Sequence, residues 1–96
     1  MSFLFLSLFL NSLYNIELNM IDKRIKQVMA AVFEVEADSI SEDASPDTIE
    51  IWDSLHHMNL VVALEEEFTV VFDDEQIGDL LNYKLIKIAI SELINS

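Results

Sequence analysis

Trp52-Asp53-Ser54-Leu55-His56-His57-Met58-Asn59-Leu60-Val61-Val62-Ala63-Leu64-Glu65-Glu66-Glu67-Phe68 is the stretch whose reading decides the fold. An Asp directly before a helical pattern is an N-cap signal, because its carboxylate accepts a bond from an amide that the first turn leaves unpaired. A helix is therefore expected from Ser54 to about Phe68, with the Ser54 hydroxyl in its exposed first turn. At 100° per residue Met58, Val61, Leu64 and Phe68 share a face. Leu55, Leu60 and Val62 flank it, and His56, Asn59, Ala63, Glu66 and Glu67 take the opposite arc. Glu65-Glu66-Glu67 falls near the C-terminal end, where negative charge opposes the helix dipole. Those glutamates read either as a solvated face or as charges that a partner reads.

Working outward, Glu34 to Trp52 is a long loop rich in Ser, Asp and Glu, with the single Pro46. Loops of that length usually have a function or a packing reason. Ile40, Ile49, Ile51 and Trp52 are expected to pin it to the core, and a short helical turn fits around Asp47 to Ile51. Before the loop, Ile21, Ile25, Val28, Met29 and Val32 recur at helical spacing. They predict a helix from about Ile21 to Phe33 with Asn19 as its cap. After Phe68, Thr69-Val70-Val71-Phe72 has strand character but no second strand to pair with. It reads as an extended connector burying Val71 or Phe72. Asp73 or Asp74 caps a short helix ending near Gly78 to Leu80, and Asn82 caps a last one. There Leu85, Ile88, Ala89 and the Leu93/Ile94 pair form the stripe, widened by Tyr83, Ile86 and Ile90. The expected fold is all-α: a small four-helix bundle of three main helices and one short one.

Residues 1–19 read as an apolar extension or upstream sequence, and residues 20–96 as the domain. The run Phe3 to Leu10 is shorter than the roughly 20 residues that span a bilayer. No Lys or Arg precedes Lys23, so the basic start of a secretory signal is missing. Neither stable membrane insertion nor a targeting segment is expected.

Composition narrows the function. Eighteen acidic residues against five basic ones give a formal charge of −13. This disfavours nucleic acid, whose phosphates need cationic side chains. It favours fast, salt-sensitive encounter with basic proteins. An apolar fraction of 52% argues for a packed core rather than disorder. The chain has no cysteine, which removes disulfides, thiolate zinc sites and a protein thiol nucleophile, and fits a cytoplasmic location. No metal is expected: His56 and His57 project about 100° apart on a helix and do not chelate, and the acidic loop lacks the spacing of a calcium-binding hand. There is no Gly-rich phosphate loop and no Ser-His-acid set, so an independent enzyme is not expected.

The order of elements, with Asp53-Ser54-Leu55 opening the second helix and Leu64-Glu65-Glu66-Glu67-Phe68 closing it, resembles the acyl carrier protein family. Trp52, Met58, Leu60, Val61, Ala63, Asp73-Asp74-Glu75 and Leu80 also match, and the resemblance spans about Met20 to Ile94. It implies that Ser54 carries 4′-phosphopantetheine, installed from coenzyme A by a phosphopantetheinyl transferase, with Asp53 and Leu55 shaping the attachment point. The thiol of that arm would hold acyl groups as thioesters, so a chain without cysteine borrows its sulfur from the cofactor. It implies acyl-loading and acyl-processing enzymes with basic docking patches as partners of a monomer, met through His56, Asn59, Glu66 and Glu67. It further implies an acyl pocket among Met58, Val61, Leu64, Phe68, Leu80 and Tyr83. His56-His57-Met58-Asn59 stands where carriers of fatty-acid synthesis usually place acidic residues. The resemblance is therefore to a specialised carrier of a lipid, polyketide or related pathway. The alternative is an unmodified helical interaction module within a larger complex.

Overall fold

The computed structural model describes residues 19–95, and all its regular elements are helical. Helix α1 covers residues 19–33, α2 Ser54–Phe68, α3 Asp74–Asp79 and α4 Tyr83–Ile94. The short 3₁₀ turn Ala37–Ser39 interrupts the long loop. No strand occurs among the described residues. The apolar N-terminal run lies outside them.

Ion-pair and ring contacts set the helix directions. Asp22 pairs with Lys87, and one turn later the Lys26 ammonium sits 5.3 Å from the Tyr83 ring centre, so α1 and α4 are antiparallel. Arg24 reaches Glu67 and Phe68, whereas Phe33 packs on Trp52 just before α2, so α1 and α2 are antiparallel as well. The Ser54 end of α2 thus lies beside the C-terminal end of α1 and the start of α4. Between these elements Ile25, Met29, Leu60, Leu64, Ile86 and Ile90 are completely buried. Burying one such side chain is worth about 1.5–3 kcal/mol, which is why a bundle this small holds together.

The caps follow the sequence. Asp53 Oδ1 accepts from the His56 amide at 2.8 Å. Asp73 and Gln76 close a reciprocal capping box at α3, and Asn82 Oδ1 accepts from the Leu85 amide at 2.9 Å. Phe72 is buried and Val71 exposed in an extended connector, which the Glu65 carboxylate holds by accepting the Phe72 amide at 2.9 Å. Ile40 and Trp52 pin the loop, with Ile49 and Ile51 partly buried. Ala44, which its size hides from a hydropathy reading, is buried too, and its carbonyl accepts the Tyr83 amide at 2.9 Å.

Four expectations need correction. Residue 19 is already helical, so Asn19 is not the cap of α1. The loop's helical turn falls at Ala37–Ser39, whereas Ser45 to Trp52 forms hydrogen-bonded turns. On α2, Leu60 is in the centre of the buried face, while Leu55, Met58 and Val62 are exposed. On α4 the buried stripe is Tyr83, Ile86 and Ile90, with Leu85 and Ile88 outside. Both helices carry apolar residues on more than one face. Periodicity then allows two solutions, and long-range contacts such as Ala44 to Tyr83 select between them.

Helices α1 and α2 end without glycine. Glu34 and Thr69 adopt left-handed backbone, φ 57° and 54°, where the Val35 amide bonds Ala30 O and the Val70 amide bonds Glu65 O. The Arg24 guanidinium donates to the Glu67 carbonyl at 2.6 Å and stacks 4.4 Å from the Phe68 ring centre, placing positive charge where the α2 dipole is negative. Left-handed backbone costs a side-chain-bearing residue roughly 1–2 kcal/mol. The added unfolded-chain entropy of glycine offsets roughly 0.5–1 kcal/mol of that. Thr69→Gly is therefore expected to raise stability by about 0.5–1 kcal/mol, seen as a higher urea midpoint at unchanged slope; a lower midpoint would contradict the strain assigned to this turn.

Candidate functional site

Ser54 is exposed and is the first residue of a 15-residue helix. The Asp53 side chain takes the His56 amide and its carbonyl takes the His57 amide, leaving the amides of Ser54 and Leu55 without a partner among the described residues. Two free donors at the positive end of a helix dipole are the local chemistry that accommodates a phosphate ester.

The same Asp53 oxygen also accepts from His56 Nδ1 at 2.8 Å. Because the carboxylate can only accept, Nδ1 carries the proton. The His56 amide first, and the His56 ring second, hold the Asp53 carboxyl below its ordinary value.

His57 faces the other way. Trp52 Nε1 lies 3.0 Å from His57 Nδ1, and His57 Nε2 lies 2.9 Å from the Ile77 carbonyl oxygen. An indole N–H only donates, so Nδ1 accepts, and Nε2–H donates to Ile77. One imidazole thus joins the loop, α2 and α3. The Trp52 and His57 rings lie edge to edge, 6.2 Å between centres and 19° from parallel, and Trp52 packs on Phe33 of α1 at 5.0 Å.

Beside Ser54 is an open hollow of about 430 Å³ lined by Trp52, Asp53, His57, Met58, Ile77 and Leu81, with Pro46 and Gly78 at its margin. A second hollow, between the end of α1 and the loop from Ser39 to Ile51, does not include Ser54. Of the six side chains expected to line an acyl pocket, Met58 borders the Ser54 hollow. Val61, Leu64, Phe68, Leu80 and Tyr83 are packed in the core. The Tyr83 hydroxyl is buried there without a hydrogen-bond partner among the described residues. Of the residues expected to meet partners, Asn59 and Glu66 are exposed, His56 is tied to Asp53, and Glu67 is paired with Arg24 at 3.0 Å. Sequence reasoning missed Pro46, Ile77, Gly78 and Leu81 as walls of the hollow. Only the lone Pro and lone Gly, flanking the motif at a distance, could have hinted at them.

The described chain is similar to the solution NMR structure of a holo acyl carrier protein from Geobacter metallireducens. The match has a TM-score of 0.67 at 25% identity, and covers 74% of this chain and 82% of the other. No protein-family model matches the chain. The likeness establishes a carrier-type helical bundle and supports a carrier role in general terms.

The Asp53 carboxylate gives a signed pH dependence. Its folded-state pKa is depressed, so its contribution is complete above the ordinary carboxyl range and is lost as pH falls through the lowered folded value. Asp53→Asn keeps a capping oxygen but removes the charge. The wild type is expected to exceed Asp53→Asn in urea midpoint at pH 6, and the difference should shrink at a pH below the ordinary carboxyl range. An equal difference at both pH values would contradict a charged cap.

Proposed function

We propose that the chain is an acyl carrier protein. Ser54 carries 4′-phosphopantetheine and presents acyl thioesters to the enzymes of a specialised lipid, polyketide or related pathway. The observation that carries this reading is the position of Ser54: an exposed hydroxyl on the first turn of a capped helix, beside two unpaired amides and at the rim of an apolar hollow. The likeness to a holo acyl carrier protein supports it.

In this reading a phosphopantetheinyl transferase forms the Ser54 Oγ–phosphorus bond while the pyrophosphate of coenzyme A breaks and its nucleotide half departs. The amides of Ser54 and Leu55 face the new phosphodiester charge, and Asp53 fixes the first turn that presents it. The arm supplies the thiol that the side chains lack. The chain itself does no catalysis; residues 20–96 are the carrier domain, working as a monomer in the cytoplasm. Partner enzymes meet it at α2, through His56, Asn59, Glu66 and Glu67.

A specialised pathway is supported by the character of that face. Leu55, Met58 and Val62 are exposed beside Asn59, and among the three glutamates Glu65 and Glu67 are engaged inside the chain. A partner shaped for this carrier would meet apolar surface near Ser54 and negative charge further along.

Incubation with coenzyme A, magnesium and a broad-specificity phosphopantetheinyl transferase is expected to add one phosphopantetheine to the intact mass, and Ser54→Ala to add none. A wild-type chain that stays unmodified while a control carrier is converted would favour the interaction-module alternative.

A further inference from the structure

A chain anchored at Ser54 has two ways to lie: inward between α2 and α3, or outward over the open hollow. His57 stands across the inward way. It follows Ser54 by almost one helical turn, and its Nε2–H is bonded to Ile77 O of α3 at 2.9 Å. Its other nitrogen is held by the Trp52 indole at 3.0 Å, so the ring cannot turn aside without losing a partner on both edges. Behind it Leu60, Val61, Leu64, Leu80, Tyr83 and Ile86 are each at most 1% exposed. Separating α2 from α3 would take the His57 donor from the Ile77 carbonyl, leaving it the longer 3.4 Å bond from the Leu80 amide, and break a close-packed core.

The outward way is open. Ser54 lies on the rim of the hollow, whose walls offer Pro46, Trp52, Met58, Ile77 and Leu81 as apolar surface. Met58 and Leu81 are 46% and 57% exposed, so the surface is there without any helix moving.

We propose that His57 is a staple between α2 and α3 that keeps the cargo outside the bundle, making this a carrier of short or compact acyl groups. The first carbons of the cargo lie against Met58, Ile77 and Leu81, and the interior stays closed. A long alkyl chain has no interior to enter here and is left on the surface, where exposed apolar area promotes association. The inference rests on the carrier reading of Ser54. Within it, His57 is a positioning residue: it acts by holding Ile77.

The test uses the full chain loaded from butyryl- and dodecanoyl-coenzyme A, with loading read by intact mass and side-chain methyl shifts read by NMR. In the wild type, both cargoes are expected to move the Met58 and Leu81 methyls and to leave Leu64 and Ile86 in place. In His57→Leu, which has no ring nitrogen to hold Ile77, dodecanoyl loading should shift Leu64 and Ile86. His57→Gln, whose amide can both donate and accept, should restore the wild-type pattern. Wild-type Leu64 and Ile86 shifts that change with chain length would overturn the proposal, as would a His57→Leu core indifferent to the long cargo. A chain that never gains the arm overturns the carrier reading as well, whereas a loaded wild-type chain whose core moves overturns only the staple.

Discussion

An imidazole has two nitrogens, and in His57 both are committed. Trp52 donates to one and Ile77 accepts from the other, so the loop, α2 and α3 are referenced to a single ring. Through the Trp52 packing on Phe33, α1 is referenced to it as well. This junction lies one turn from Ser54, and it decides what surrounds the hydroxyl. The Asp53 cap sets where α2 begins, and the His57 junction sets what the beginning of α2 faces. Without the junction the hollow beside Ser54 would have no fixed wall, since Ile77 belongs to a helix of only six residues. So short a helix has little stability of its own and takes its position from tertiary contacts.

The charges divide into an internal and an external set. Four of the five basic residues are in ion pairs: Arg24 with Glu67, Lys26 and Lys87 with Asp22, and Lys84 with Asp43. Exposed pairs of this kind are worth about 0–1 kcal/mol, so they orient more than they stabilise. The pair at the C-terminal end of α2 matters most, because Arg24 also bonds the Glu67 carbonyl and covers Phe68. That leaves a large surplus of negative charge over the surface, a field that would attract a basic protein from a distance. At close range the face around Ser54 is different: Leu55, Met58 and Val62 are exposed there. Long-range attraction and short-range contact are thus supplied by different residues.

Local chemistry was the legible part of the sequence. Asp53, Asp73 and Asn82 cap the helices they precede, because a cap depends on residues within one turn. The element order, the extended connector and the buried Trp52 followed from periodicity and composition. Faces were less legible on helices with apolar residues all round: Leu85 and Ile88 fit a 3.6-residue period as well as Ile86 and Ile90 do. The glutamates at the end of α2 read from sequence as a solvated face or as charges for a partner, yet Glu65 holds Phe72 and Glu67 holds Arg24, 7 and 43 positions away. The position of Ser54 could be read directly. The hollow beside it could not, since Pro46, Ile77 and Leu81 come together only through the fold.

The central claim is that Ser54 is an attachment point, and its most direct test is the chemical state of that residue in the protein isolated from its own cells. Peptide fragmentation by mass spectrometry is expected to place a phosphopantetheine, with or without an acyl group, on Ser54 and on no other residue. A Ser54 peptide recovered wholly unmodified, under conditions that preserve the arm on a carrier isolated alongside it, would contradict the account.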